Sequence, residues 1–187
     1  MDISEQWLKE SSACKQVRIW WRNQKETDGL KVVQALIKDK KLSWANWTIV
    51  RIMSYEQYVA YGVYAAEQVI KIYEKKYPDD KRPRQAIEAA KKCIDNPSQE
   101  NKAAADAAAD AAYAAAYAAN ADAYAAYAAN AAADAANAAA YAANAAAYDA
   151  NVAAYDAYAD AYDAYAANAM KLKILKYGIK LLRSVYD

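Results

Sequence analysis

The feature that most constrains the fold is a run of 67 residues, positions 103–169, in which 42 are alanine. The other residues are 10 Tyr, 8 Asp, 6 Asn and one Val. Alanine is the strongest helix former, and the larger side chains recur at alternating steps of four and three residues, a heptad-like period. The segment is therefore predicted to be helical, with a stripe of Tyr, Asn and Asp along one side.

Two geometries fit this segment. It forms either one long helix, or two or three helices joined by tight turns at asparagine. The candidate turns are residues 119–122 and 130–134, and a step of three followed by three at Tyr124, Tyr127 and Asn130 favours a turn there. We prefer the folded-back geometry, because a solitary alanine helix buries little surface. In it we expect the Tyr stripe to face the Trp- and Val-rich first half of the chain.

The rest of the chain also has helical patterning. Ser4, Thr27, Ser43, Ser54 and Ser98 are candidate N-caps, while Pro78 and Asn96-Pro97 end helices and Pro83 suits a first turn. The helix after Ser54 is apolar on two sides and is predicted to be central. We expect an all-α fold of six to nine helices, a compact bundle with close-packed Ala/Tyr-rich helices. It forms a single domain, 1–187, with an aromatic and basic part (1–97), an Ala/Tyr/Asn/Asp part (98–170) and a C-terminal amphipathic helix (171–187).

Charge and composition exclude several function classes. The net charge is +1, with +4 in residues 1–100, −7 in 101–170 and +4 in 171–187, which argues against general nucleic-acid or membrane-surface binding. The chain has no His and no phosphate-loop or nucleophile motif, so we expect no catalytic residues, metal ligands or cofactors. The eight aspartates are read as a solvated acidic face. Cys14 and Cys93 are predicted to be buried thiols in a reducing compartment, and no segment is predicted to be secretory or to span a membrane.

A cluster of charged residues lies between two predicted helices: Tyr77, Asp80, Lys81, Arg82 and Arg84. Helix N-termini and arginines both suit anions, so this cluster is a candidate site for a phosphate or an acidic partner. The alternative is structural. Asp80 then caps the second helix, and the arginines pair with Glu74, Glu88 or the aspartates of the alanine segment.

At this cluster the chain resembles a known family. Residues Pro78, Asp80, Arg82, Pro83, Arg84, Ile87 and Glu88, followed by a long alanine-rich region, are similar to the bacterial and phage "putative immunity protein" family, the fifth class of polymorphic-toxin immunity proteins. The resemblance implies a non-enzymatic protein, in the cytoplasm of a bacterial cell or encoded by a phage, that neutralises an effector by binding and sequestration.

Two binding modes stay open. The chain could cover a toxin protein, with exposed Trp or Tyr and Arg as hot spots, and Trp44 and Trp47 are the candidates. It could instead sequester a small nucleotide signal, with Lys81, Arg82 and Arg84 on the phosphates and tyrosines on the base. A third interpretation, from a different class, is a structural or assembly protein whose alanine faces associate between copies, forming a homo-oligomer.

Overall fold

The computed structural model describes residues 1–119, 123–140 and 164–184. In these ranges the chain is all-α, as predicted, and the helices pack into a bundle. The helices are α1 Glu5–Glu10, α2 Lys15–Gln24, α3 Gly29–Lys38, α4 Leu42–Arg51, α5 Tyr55–Lys76, α6 Arg82–Asp95, α7 Gln99–Ala118, α8 Ala123–Ala140 and α9 Ala164–Arg183.

Several of the predicted helix starts are confirmed. Ser4 accepts a hydrogen bond from the Trp7 backbone N–H, and Ser98 accepts one from that of Asn101. Ser54 forms a complete capping box with Gln57, in which each side chain bonds the other residue's backbone N–H. Because these bonds satisfy N–H groups that have no partner within the helix, they define where α1, α5 and α7 begin.

Other helix starts differ from the prediction. The cap of α3 is Asp28 and not Thr27, and Ser43 lies inside α4, which begins at Leu42. The helix that begins after Ser4 is short, and the chain is broken between α1 and α2, where Ser12 adopts a left-handed backbone with φ of 58°. That conformation ends α1, in the manner of a helix C-terminal motif, and redirects the chain.

The alanine segment folds back on itself. α7 and α8 pack against each other, and the Asn137 side-chain amide donates to the Tyr113 hydroxyl at 3.0 Å. The first candidate turn, residues 119–122, falls between the two helices, so the prediction of a single long helix is excluded. The second candidate, 130–134, is wrong, because α8 runs without a break through it and through the step at Tyr124. The rest of the segment, 141–163, lies outside the described residues.

The alanines, and not the tyrosines, face the core. In α8 the buried residues include Ala125, Ala128, Ala129, Ala131, Ala132, Ala133, Ala135, Ala136, Ala138 and Ala139, each with 0% of its surface exposed. α8 packs against α5, α6 and α7, and α7 packs against α6, so the contacts are with helices that carry no tryptophan. The expectation that the Tyr stripe faces the Trp- and Val-rich half is wrong for Tyr113, Tyr117 and Tyr127, which are exposed, and the tyrosines between 141 and 163 lie outside the described residues. Methyl side chains let helix axes approach closely, whereas a tyrosine on that side would hold them apart.

The C-terminal helix α9 closes the other side of α5. It packs against α3, α4 and α5, and Tyr177 stacks on Tyr64 with ring centroids 3.9 Å apart. At Gly178 a Cβ atom would lie 2.7 Å from both Ile49 and Tyr61, so only glycine fits the present spacing of α9 against α4 and α5. Residue 171, at which the sequence divides by charge, lies inside α9.

The two cysteines differ in environment. Cys93 on α6 is buried, as predicted, and burial raises the pKa of its thiol. Cys14 is exposed, so the prediction that both are buried is wrong. It is the N-cap residue of α2, in the bend after α1.

Candidate functional site

The candidate cluster is built around Asp80, in the turn between α5 and α6. Its carboxylate accepts a hydrogen bond from the Tyr73 hydroxyl at 2.6 Å and one from the Arg82 backbone N–H at 3.1 Å. It also accepts from the Arg82 guanidinium, with Nη2 at 2.6 Å from Oδ2 and Nε at 3.0 Å from Oδ1. These bonds, those from the Arg82 guanidinium above all, hold the pKa of Asp80 well below its usual range. Asp80 thus closes the turn and supports the first turn of α6, where Pro83 lies as predicted.

The other residues of the cluster also bond within the chain. Arg84 Nε donates to Glu74 Oε1 at 2.8 Å, and Lys81 Nζ donates to the Pro78 carbonyl at 2.5 Å. The Tyr77 ring lies against buried Tyr73, with centroids 5.0 Å apart. Both arginines proposed to hold an anion therefore hold carboxylates of this chain.

One of these contacts belongs to a regular ladder along the seam of α5 and α6. Glu74 pairs with Arg84, and Glu67 pairs with Lys91, each at 2.8 Å. The two glutamates are seven residues apart on α5, and the two cations are seven residues apart on α6. Lys91 also bonds Glu88 on its own helix at 2.9 Å. The hydrogen bond from Arg84 lowers the pKa of Glu74. The ladder fixes the register of two antiparallel helices.

The predicted tryptophans lie on α4 and stack with cations. Lys41 Nζ lies 4.4 Å from the centre of the Trp44 ring, and the Arg51 guanidinium carbon lies 4.3 Å from that of Trp47. Arg51 Nη1 also donates to the Trp47 carbonyl at 2.9 Å. Trp7 of α1 meets Trp47 edge to face, with centroids 6.0 Å apart. Such cation–aromatic contacts contribute about 0.5–1 kcal/mol each at exposed sites.

The sequence-predicted residues therefore form two groups. Tyr77, Asp80, Lys81, Arg82 and Arg84 come together at the α5–α6 turn, whereas Trp44 and Trp47 lie on α4. No hydrogen bond, ion pair or ring contact among the described residues joins the two groups. Sequence reasoning missed Arg51, although its position four residues after Trp47 places both on one side of a helix.

Sequence reasoning also missed an exposed surface on α7 and α8. Tyr117 is 85% exposed, Tyr127 40% and Tyr113 37%, and Asp110 is exposed on the same side of α7 as Tyr113 and Tyr117. We call these four residues the tyrosine face. Tyr127 belongs to it because it lies seven residues before Asp134, on the side of α8 that meets Tyr113.

The tyrosine face is anchored by a buried carboxylate. The Tyr113 hydroxyl donates to Asp134, which is only 4% exposed, and Asn137 donates to the same hydroxyl. The prediction of a solvated acidic face thus holds for Asp110 and is wrong for Asp134. A buried carboxylate is stabilised when hydrogen-bond donors satisfy its oxygens, as the Tyr113 hydroxyl does here.

Two cavities border the described helices. One, of about 260 Å³, lies between Met1, Ile52 and Leu182, and the other, of about 300 Å³, lies beside Lys102 and Ala140. Neither is lined by the arginines of the α5–α6 turn. Among the described residues, no three thiol or carboxylate side chains are grouped to hold a metal ion, and no helix has the length and hydropathy to cross a membrane.

Comparison with known proteins gives a family match. The family described as Imm-5 like putative immunity protein matches residues 49–173, about two thirds of the chain. The matched range contains the α5–α6 turn, the tyrosine face and Arg51, and it begins after Trp44 and Trp47. No curated protein and no solved structure matches the chain.

Proposed function

The chain belongs to the Imm-5 like family of putative immunity proteins, and from this membership we propose that it protects a bacterial cell by binding an effector protein and blocking it. The protection is non-enzymatic, and it takes place in the cytoplasm. The partner is a toxin protein, and the tyrosine face is the surface that contacts it.

The exposure of the tyrosine face is the observation that carries this proposal. Tyrosine is enriched at protein interfaces, because its ring supplies contact area at a small entropy cost and its hydroxyl can bond a partner. Tyr117 is 85% exposed in the described part of the chain, which is unusual for so large a ring. A partner that covers the ring would remove its apolar surface from water, which favours binding. The face also lies within the range that defines the family.

The second mode, sequestration of a nucleotide signal, has less support. It needs Arg82 and Arg84 to be available for phosphates, yet each is paired with a carboxylate of this chain. A phosphate would have to displace Asp80 or Glu74, and the displaced carboxylate would then repel it. The ion pairs therefore favour the structural interpretation of this cluster.

The experiment is co-expression with a toxin encoded beside the gene of this protein, scored by cell survival and by complex formation on a sizing column. The wild-type chain should protect and co-elute with the toxin. Replacing Tyr117 and Tyr127 by serine should weaken the complex at least tenfold, about 1.4 kcal/mol, and reduce protection. Ile72→Ser is the matched control, because Ile72 is 37% exposed on α5, away from the tyrosine face.

Three outcomes would overturn the proposal. The first is full protection by the tyrosine variant while it remains folded. The second is a small molecule, and no protein, released from chain purified out of toxin-producing cells. The third is a chain that assembles with copies of itself through the same face and never with the toxin, which would support the assembly alternative.

A further inference from the structure

Three of the six arginines in the described residues are paired with carboxylates. Arg22 pairs with Glu5, Arg82 with Asp80 at 2.6 Å and Arg84 with Glu74 at 2.8 Å. Arg51 instead has only neutral contacts, the Trp47 ring and the Trp47 carbonyl. It is half-buried, and burial lowers the pKa of its guanidinium. Partial burial of a cation without a carboxylate beside it is unfavourable, and a negatively charged group of a partner would offset this cost.

The geometry of Arg51 leaves its hydrogen-bonding capacity largely unused. A guanidinium carries five N–H donors, and the Trp47 carbonyl takes one of them. The ring of Trp47 holds the group from beneath at 4.3 Å, and Trp7 supports that ring edge-on. A guanidinium held over an aromatic ring presents a planar fork of N–H donors that matches a carboxylate.

A second cation continues the same surface. Lys41, Trp44, Trp47 and Arg51 follow one another at steps of three, three and four residues, so they share one side of α4. We call these four residues the α4 face. Lys41 lies over the Trp44 ring as Arg51 does over the Trp47 ring, and neither cation is paired with a carboxylate of the described residues. Ten residues at 1.5 Å per residue separate the Cα atoms of Lys41 and Arg51 by roughly 15 Å along the helix, and the two side chains reach toward each other over rings that are three residues apart.

We propose that the α4 face binds an acidic, extended segment of a partner protein, with one carboxylate on the Arg51 fork and another near Lys41. The rings of Trp44 and Trp47 lie between the two cations and offer an apolar surface to the residues of the segment that separate its two carboxylates. The first 100 residues carry a net charge of +4, which is complementary to such a segment.

A separated pair of cations on an open aromatic surface fits a peptide better than a nucleotide. Small-molecule sites are concave, and neither of the two cavities described above is lined by a residue of the α4 face. The surface is also distinct from the tyrosine face, which carries the acidic Asp110 and suits groups of the opposite charge.

The test is a titration of the full-length, isotope-labelled chain with hexaglutamate, a peptide long enough to reach both cations. Tryptophan indole N–H signals report the site by NMR. Those of Trp44 and Trp47 should shift, while that of Trp20, which is buried and bonded to Asp39 at 2.8 Å, should not. Binding should weaken with added salt, since the contacts are charged and partly exposed.

Variants identify the role of Arg51. Arg51→Gln should weaken hexaglutamate binding about tenfold, and Arg51→Lys should fall between it and the wild type, because lysine keeps the charge and loses the fork. Arg22→Gln is the matched control, since Arg22 is exposed and already paired with Glu5. If Arg51→Gln unfolds, Arg51→Lys and Lys41→Gln decide the question.

Several results would overturn the inference. One is the absence of indole shifts with hexaglutamate, and another is shifts of equal size in Arg51→Gln. A third is that ATP or pyrophosphate, but not the peptide, moves the Trp47 signal, which would assign the site to phosphates. Because the probe needs no effector, failure here leaves the proposed function untouched. The Tyr117 and Tyr127 variant should bind hexaglutamate normally even if it no longer binds the toxin.

Discussion

Placing a larger side chain on α8 tests the packing of the alanine helices most simply. Ala132 is fully buried, and α8 meets three other helices, α5, α6 and α7, so a larger side chain at this position cannot turn into solvent. Ala132→Leu adds three carbon atoms at this position. Leucine is nearly as good a helix former as alanine, so the change acts through packing and not through propensity.

Overpacking a well-filled core costs typically about 1–3 kcal/mol. For a chain of this size each kcal/mol lowers the melting temperature by roughly 2–4 °C, so the expected fall is about 2–12 °C. Thermal unfolding followed by circular dichroism measures it. Ala107→Leu is the control, because Ala107 is exposed on α7 and should tolerate the larger side chain with little change.

Equal melting temperatures for the two leucine variants would refute the reasoning. That result would mean that α8 has room for an isobutyl group, or that it does not lie against α5, α6 and α7 in solution. A stabilised Ala132→Leu variant would mean that the alanines leave cavities that larger residues can fill.

Three further predictions concern single sites. Asp80→Asn should destabilise the fold by about 1–3 kcal/mol at pH 7, measured by urea unfolding, whereas exposed Asp79→Asn should have little effect. Because the pKa of Asp80 is lowered in the folded state, its contribution is present above the unfolded pKa, near 4, and the gap between wild type and Asp80→Asn should narrow as the pH falls below about 4. Gly178→Ala should destabilise by roughly 1–2 kcal/mol, also in urea, because a Cβ would lie 2.7 Å from side chains of α4 and α5, and this outweighs the gain in helix propensity. With Ellman's reagent the native protein should expose one reactive thiol, Cys14, and Cys93 should react only after unfolding.

Much of the fold could be predicted from local signals. The caps at Ser4, Ser54 and Ser98 each depend on a hydrogen bond to a residue three positions away, so the sequence contains all the information needed. Pro83 in the first turn of α6 follows from its fixed backbone angle in the same way. The turn between α7 and α8 was also among the candidates.

The orientation of the alanine helices could not be predicted from the same pattern. A heptad period shows that Tyr, Asn and Asp form a stripe, but it does not say which side of the helix faces the core. Hydrophobicity favours tyrosine inward, whereas geometry favours alanine, since α8 lies among α5, α6 and α7 and needs small side chains on several sides. Which effect dominates depends on the number of neighbouring helices, and this is a tertiary property.

The candidate site was predictable to a similar degree. The pairing of Arg84 with Glu74 was one of the alternatives. Arg82 was expected to pair elsewhere, but it pairs with Asp80, and the N-cap position of α6 is Lys81 instead of Asp80. Arg51 could not be singled out, because what distinguishes it is a half-buried position over the Trp47 ring with no carboxylate of the described residues paired to it. That depends on where every acidic residue lies after folding.

The most direct test of the account is amide hydrogen exchange in α8, followed by mass spectrometry. If the alanine helix is the interior of the bundle, amides of residues 128–139 should be among the slowest in the chain and should exchange only with global unfolding. Exchange of these amides within seconds, as in an isolated alanine-rich helix that frays freely, would contradict the interior position of α8.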